Sequence, residues 1–174
     1  MSIRDLLLPE LDQEMANTRN LLQRVPMDRP DWKPHNKSMT MGRLAGHVAE
    51  LPNWAARIVE TEVLDLTPMV TEGHHGYSAK SSQELLQTFD KNVAEARNVL
   101  AKASDENLSE VWSMTLKGKT VLSGPRFPMI RSIFLNHLIH HRAQLGVYMR
   151  LNDVPLPAMY GPSADEGQTF SQEQ

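Results

Sequence analysis

Apolar residues recur at steps of three and four over four stretches of the chain, and prolines, glycines and polar clusters separate them. The spacing predicts a first helix over 3–24, with Leu7, Leu11, Thr18, Leu21 and Val25 on one face. "VPMDRPDWKPHNKS", with three prolines, ends it. A second helix is predicted over 40–60, capped by Ser38 or Thr40, and a third from the Ser81-Ser82 pair to Lys102, with Leu85, Phe89, Val93, Ala96 and Leu100 as its stripe. The fourth runs over 128–151, where Pro128 suits a first turn whose N–H groups lack partners anyway. Before it, Lys117-Gly118-Lys119 sits between partly alternating β-prone residues and predicts a small hairpin or an irregular loop. After Asn152 an extended arm is expected to run to Asp165 and then fray. Helices of similar length with long connections after the second predict an all-α fold, a four-helix bundle. At 174 residues the chain is close to the ~150 of a typical domain, so one domain over 1–174 is expected.

Histidines interrupt two of these stripes. The fourth helix reads Ile130, Phe134, His137, His141, Leu145, Tyr148, and the second reads Thr40, Leu44, His47, Leu51, Trp54, Ile58. His137 and His141 stand one turn apart on one face, about 6 Å along the axis, and can converge on one point. His140 is turned about 100° away, a rim position. Each buried imidazole needs partners, since an unsatisfied buried polar group costs roughly 1–3 kcal/mol. Local hydrogen bonds in a plain polar core are one answer. A divalent ion shared by His47, His137 and His141 is the other, and it accounts for three histidines on two seams. Neutral imidazoles suit Zn²⁺, Ni²⁺, Fe²⁺ or Co²⁺ and not the oxygen-seeking Ca²⁺ or Mg²⁺. Three protein ligands leave a position open, as catalytic sites do.

Composition narrows the chemistry. Hydrophobic residues at 40% and charged residues at 22% fit a soluble globular chain. The net charge of −3, without a basic stripe, argues against nucleic acid as a partner. No window reaches the ~18 apolar residues of a membrane span, so a cytoplasmic protein is expected. There is no cysteine, so thiol chemistry here needs a thiol from outside.

The segments "KSMTMGRLAGHVAELPNW", "NHLIHHRAQLGVYMRLNDVPLP" and "MYGPSADE" resemble the DinB-like family, the DNA-damage-inducible proteins, which belong with the bacillithiol- and mycothiol-dependent S-transferases. The resemblance spans nearly the whole chain. It implies a four-helix bundle with a metal held by one histidine of the second helix and two of the fourth, which fall on His47, His137 and His141. It also implies a homodimer and a small-molecule substrate. The family name refers to gene induction and implies no DNA binding.

Three functions compete on these grounds. The leading one is a metal-dependent thiol S-transferase, in which the ion binds a low-molecular-weight thiol and lowers its pKa. A metal-dependent hydrolase is the second and needs a nearby base, for which Glu50 is the candidate. The third is a metal-stabilised stress-response binding module without catalysis, favoured by a fourth protein ligand. Around the site, Trp32 is expected over the bundle end or the site mouth, Trp54 in the core, and Tyr160 folded back on the bundle with its OH partnered. Arg142 and Gln144 are either site residues or solvated. Met39, Met41, Met114 and Met129 serve as core filler or as an adaptable pocket wall. His35, His74 and His75 are expected in solvated loops.

Overall fold

The computed structural model describes residues 1–72 and 76–167; His74 and His75 lie outside them. Helix α1 (Ile3–Leu22) buries Leu7, Leu11, Met15, Thr18, Leu21 and Leu22, the predicted face. Helix α5 (Ser82–Lys102) starts where Ser81 Oγ accepts from Glu84 N and buries Leu85, Phe89, Ala96 and Leu100.

The second predicted helix is two. Thr40 caps α2 (Met41–Glu50), its hydroxyl accepting from Arg43 N, and α3 (Asn53–Glu60) follows after a break at Leu51-Pro52. Pro52 has no N–H to extend the ladder, and Trp54 N and Ala55 N bond only three residues back, to Leu51 O and Pro52 O. The break turns α3 relative to α2. Leu44, Leu51 and Ile58 are buried as expected, but Trp54 is half-buried at the surface and not in the core.

The fourth predicted helix is one rod of three pieces: α7 (Arg126–Met129), a π-helical stretch over Ile130–Asn136, and α8 (His137–Arg150). A π turn holds an extra residue, so the stripe slips by one. Ile130, Phe134 and Leu145 are buried as expected, yet the fully buried line continues through Leu138, Arg142 and Met149. His137, His141 and Tyr148 are left beside it, half-buried.

The all-α expectation is corrected by a three-stranded sheet; the fold is mostly helical with this small sheet attached. Strands β2 (Val111–Leu116) and β3 (Lys119–Pro125) form the hairpin, turning through Lys117 (φ 50°) and Gly118 (φ 73°), two positive-φ positions that match the twist of paired strands. β1 (Val63–Asp65) adds in parallel on β2, with Val63 opposite Ser113. Three residues are too few for a periodic signal. Short helices α4 (Thr67–Thr71) and α6 (Asp105–Ser109) flank the strands. Trp112 drives the sheet into the core, its Nε1–H donating to Thr61 Oγ1 at 3.1 Å. Buried Arg126 donates to Ile58 O and Thr61 O, each at 2.9 Å, and holds the sheet's end against α3.

No helix among the described residues is long and apolar enough to cross a membrane. The arm after α8 runs back over the helices as expected. Asp165 pairs with Arg150 and Glu166 with Arg24, while Tyr160 OH donates to Glu14 Oε2 at 2.7 Å. Beneath it Arg142, 1% exposed, pairs with Glu14 Oε2 at 2.7 Å and donates to Glu14 O and Thr18 Oγ1, each at 3.0 Å. Arg142 is therefore neither solvated nor a site residue; it ties α8 to α1. Removing one partner of such a pair leaves a buried charge, at a cost of about 3–5 kcal/mol. We expect Glu14→Leu to be destabilised by that much in urea, and Glu14→Leu with Arg142→Met to be more stable than Glu14→Leu alone. Simple addition of the two single losses would remove the pair as a unit.

Candidate metal centre

Helix α2 supplies one histidine and α8 two, and packing of the two helices brings them together. Gly46 lets the backbone at Tyr77 press onto α2, since a Cβ there would stand 2.1 Å from Tyr77 O. The next residue is His47. Potential ligand nitrogens of His47, His137 and His141 all lie within 4.8 Å of one another. Ring centroids are 4.6 Å apart for His47 and His141, and 5.2 Å for His47 and His137. His140 is exposed, its ring 4.9 Å from that of His141, a rim residue as expected.

The hydrogen bonds orient two of the three rings. His137 Nδ1 lies 3.2 Å from Ile133 O, which only accepts, so that nitrogen carries the hydrogen. His141 Nδ1 faces Gln144 Oε1 at 2.8 Å and does the same. Both Nε2 atoms are then bare lone pairs, and they face each other at 2.8 Å. Two lone pairs at that distance repel unless a proton or a cation lies between them. Burial opposes the proton: it lowers the pKa of His141 against the pull of Gln144, and it pushes His47 down to about 4, helped by the charges of His141, Arg43 and His137. A divalent cation is compatible with this arrangement. Outward Nδ1–H bonds that aim Nε2 inward are also the usual support for metal-bound imidazoles.

Other sequence candidates fall into place around it. Gln144 orients His141. Glu50 accepts from Tyr77 N at 3.2 Å and pairs with Arg43 at 3.5 Å. Trp32 packs edge-on to Tyr148, centroids 5.5 Å apart. His35 accepts from Lys37 N in its exposed loop. Two spaces adjoin the histidines. A cleft of about 140 Å³ beside His47 is lined by Arg43, Glu50, Trp54, Arg57 and Met69. An apolar hollow of about 510 Å³ beside His137 is lined by Trp54, Leu66, Met69, Val70, Met114 and Ile133. Two of its walls are methionines, so Met114 lines a pocket as well as packing on the core. Arg43 and Arg57 escaped the sequence reading, although Arg43 stands one turn before His47 and Arg57 three residues after Trp54.

A model of the DinB family matches residues 1–174. The chain belongs to the DinB family. Among relatives, the uncharacterized protein YrdA of Bacillus subtilis (strain 168) is 24% identical over 172 residues, covering 97% of this chain and 95% of YrdA. Crystal structures of two DinB-like proteins share the fold. That of YjoA from Bacillus subtilis has a TM-score of 0.67 at 16% identity, over 88% of this chain and 97% of its own. That from Bacillus cereus ATCC 10987 has a TM-score of 0.69 at 17% identity, over 91% and 98%.

We expect His47→Ala, His137→Ala and His141→Ala in this DinB protein each to lose bound divalent metal by elemental analysis, whereas His140→Ala keeps it. Wild-type metal content in His47→Ala would remove the site as drawn.

Acid tests the same cluster without metal. His47 binds a proton less readily when folded, about 4 against an unfolded 6.5, so between these values the unfolded state holds more protons and stability is lost as the pH is lowered. The melting temperature of metal-free protein should therefore drop from pH 6.5 to 4, and less steeply in His47→Leu. Equal slopes would show that His47 contributes no such linkage.

Proposed function

We propose that this DinB-family protein is a metal-dependent enzyme of the thiol S-transferase type, acting on a small electrophile with a low-molecular-weight thiol. The observation that carries this reading is the convergence of three imidazoles beside an apolar hollow, with no fourth His, Cys, Asp or Glu in the group among the described residues. A closed fourth position would have favoured a purely structural ion. The chain has no cysteine to act as nucleophile, which is consistent with a thiol from outside.

A Zn²⁺, Ni²⁺, Fe²⁺ or Co²⁺ ion held there would supply a Lewis acid that strips the proton from a coordinated thiol. The chain's own residues do the rest. His47, His137 and His141 hold the charge, and Ile133 O and Gln144 fix the orientation of two of them. Leu66, Val70, Met114 and Ile133 offer a dry wall for an apolar electrophile. Glu50, the base that a hydrolase would use, has one oxygen accepting from Tyr77 N and the other paired with Arg43, so both are already engaged. The homodimer implied by the family resemblance belongs to the same proposal, and sedimentation velocity decides it.

A free thiol of pKa ~8.5 is only a few per cent ionised at neutral pH, so full ionisation alone is worth about 30-fold in rate. Metal-loaded protein should consume monochlorobimane in proportion to added thiol, faster by at least about that factor per bound thiol, and chelation should abolish the gain. Metal-loaded protein that leaves thiol reactivity unchanged while hydrolysing an activated ester would replace the transferase with the hydrolase.

A further inference from the structure

The cleft beside His47 has its own electrostatic character. Arg43 and Arg57 both line it, but they are engaged differently. Arg43 pairs with Glu50 at 3.5 Å and donates to Tyr77 O at 3.3 Å. Arg57 lies over the Trp54 ring, 5.5 Å from its centroid, and its Nη1 donates to Met69 Sδ at 3.4 Å. A thioether is a weak acceptor for a guanidinium. Among the described residues no carboxylate pairs with Arg57; Glu60 and Glu95 share a neighbouring groove with it, and neither lies within ion-pair distance. A half-buried guanidinium thus lies over Trp54 with its fork met only by the weak thioether acceptor of Met69, in a chain whose net charge is −3.

Trp54 and Met69 line both the cleft and the hollow, so they divide the surroundings of the histidines into an arginine side and an apolar side. We propose that the arginine side is a subsite for a carboxylate, that Arg57 is its receptor, and that the thiol used by this protein is therefore a carboxylate-bearing one. The inference rests on the reading of the histidines as a metal centre open to a thiol. Arg57 binds the carboxylate through its planar fork, a geometry that a lysine ammonium does not reproduce. The apolar electrophile then enters on the far side of Trp54 and Met69, and the two reactants meet at the histidines without competing for one space.

The test uses a matched pair of thiols, N-acetylcysteine and its amide, titrated into cobalt-loaded protein and followed by the sulfur-to-cobalt charge-transfer band. The ratio of their dissociation constants is compared between wild type and Arg57→Gln, so that intrinsic differences between the thiols cancel. We expect the preference for the acid to fall about tenfold in Arg57→Gln, the worth of a charge-assisted pair, and to be partly kept in Arg57→Lys. Cobalt content should be unchanged in both. An unchanged ratio with normal cobalt content overturns the carboxylate subsite and leaves the metal reading standing. Failure of the wild type to take up cobalt overturns the metal reading instead. The subsite is then decided in metal-free protein by the Arg57 Nε–H resonance, which should shift with the acid and not with the amide; no difference between them overturns it. Should Arg57→Gln fail to fold, Arg57→Lys and the resonance carry the same decision.

Discussion

Two imidazole nitrogens facing each other at 2.8 Å with their lone pairs bare are the constraint around which the rest of this molecule is arranged. Left to themselves the rings would rotate apart or share a proton. Ile133 O and Gln144 prevent the rotation, and burial disfavours the proton. The third imidazole comes from another helix, so the cluster also requires α2 and α8 to be locked against each other. The two helices pack against each other, and Leu44, Leu51, Leu138 and Leu145, on them or at their ends, are all fully buried. An apolar core is strong and non-directional. Here it supplies the compression that holds like-poled groups together.

Much of this was legible in the sequence, and what was not has physical reasons. Stripes at steps of three and four located α1 and α5 with their buried faces, because burying one helical face dictates that spacing. They also picked out the three histidines. Family resemblance pointed to the same three. Pro52 was visible but stood inside a long apolar run, where the pattern outweighed one missing N–H. The π stretch leaves no pattern of its own, since it changes hydrogen bonding and not composition. β1 has only Val63, Leu64 and Asp65 and is ordered by its neighbour β2, a non-local cause that periodicity does not register. Arg57 could not be singled out because its meaning lies in an absent partner, and only three-dimensional contacts reveal that.

The arm shows how a second constraint is layered on the first. Arg142 follows His141 immediately, so it points away from the histidine cluster into the space between α8 and α1. Its pairing with Glu14 and the hydroxyl of Tyr160 converts a buried cation into a satisfied one and fixes the rotation of α8 about its own axis. That rotation sets where His137 and His141 aim. An ion pair of this kind is a poor source of net stability but a good source of register. The arm's Asp165 and Glu166, on Arg150 and Arg24, keep Tyr160 over the pair.

The two departures from regular helix matter more than the regular parts. Had α2 and α3 been continuous and the fourth rod purely α-helical, the expected stripes would have held there, and His137 and His141 would have lain in the core with Trp54 and Tyr148. A metal there would have been sealed from any ligand. The break at Pro52 instead turns Trp54 outward, and the extra residue in the π turns hands the core positions to Leu138, Arg142 and Met149. His137 and His141 move by that one residue to the edge of the core, where they are half-buried beside the hollow. Burial fixes the rings and access admits a ligand, and a straight amphipathic helix supplies only the first. Local irregularity is stable here because the core around it is large: Phe134 and Leu135, inside the π stretch itself, are fully buried. The strain of a wider helical turn is thus offset where it arises, and the opening that it creates is placed beside the histidines.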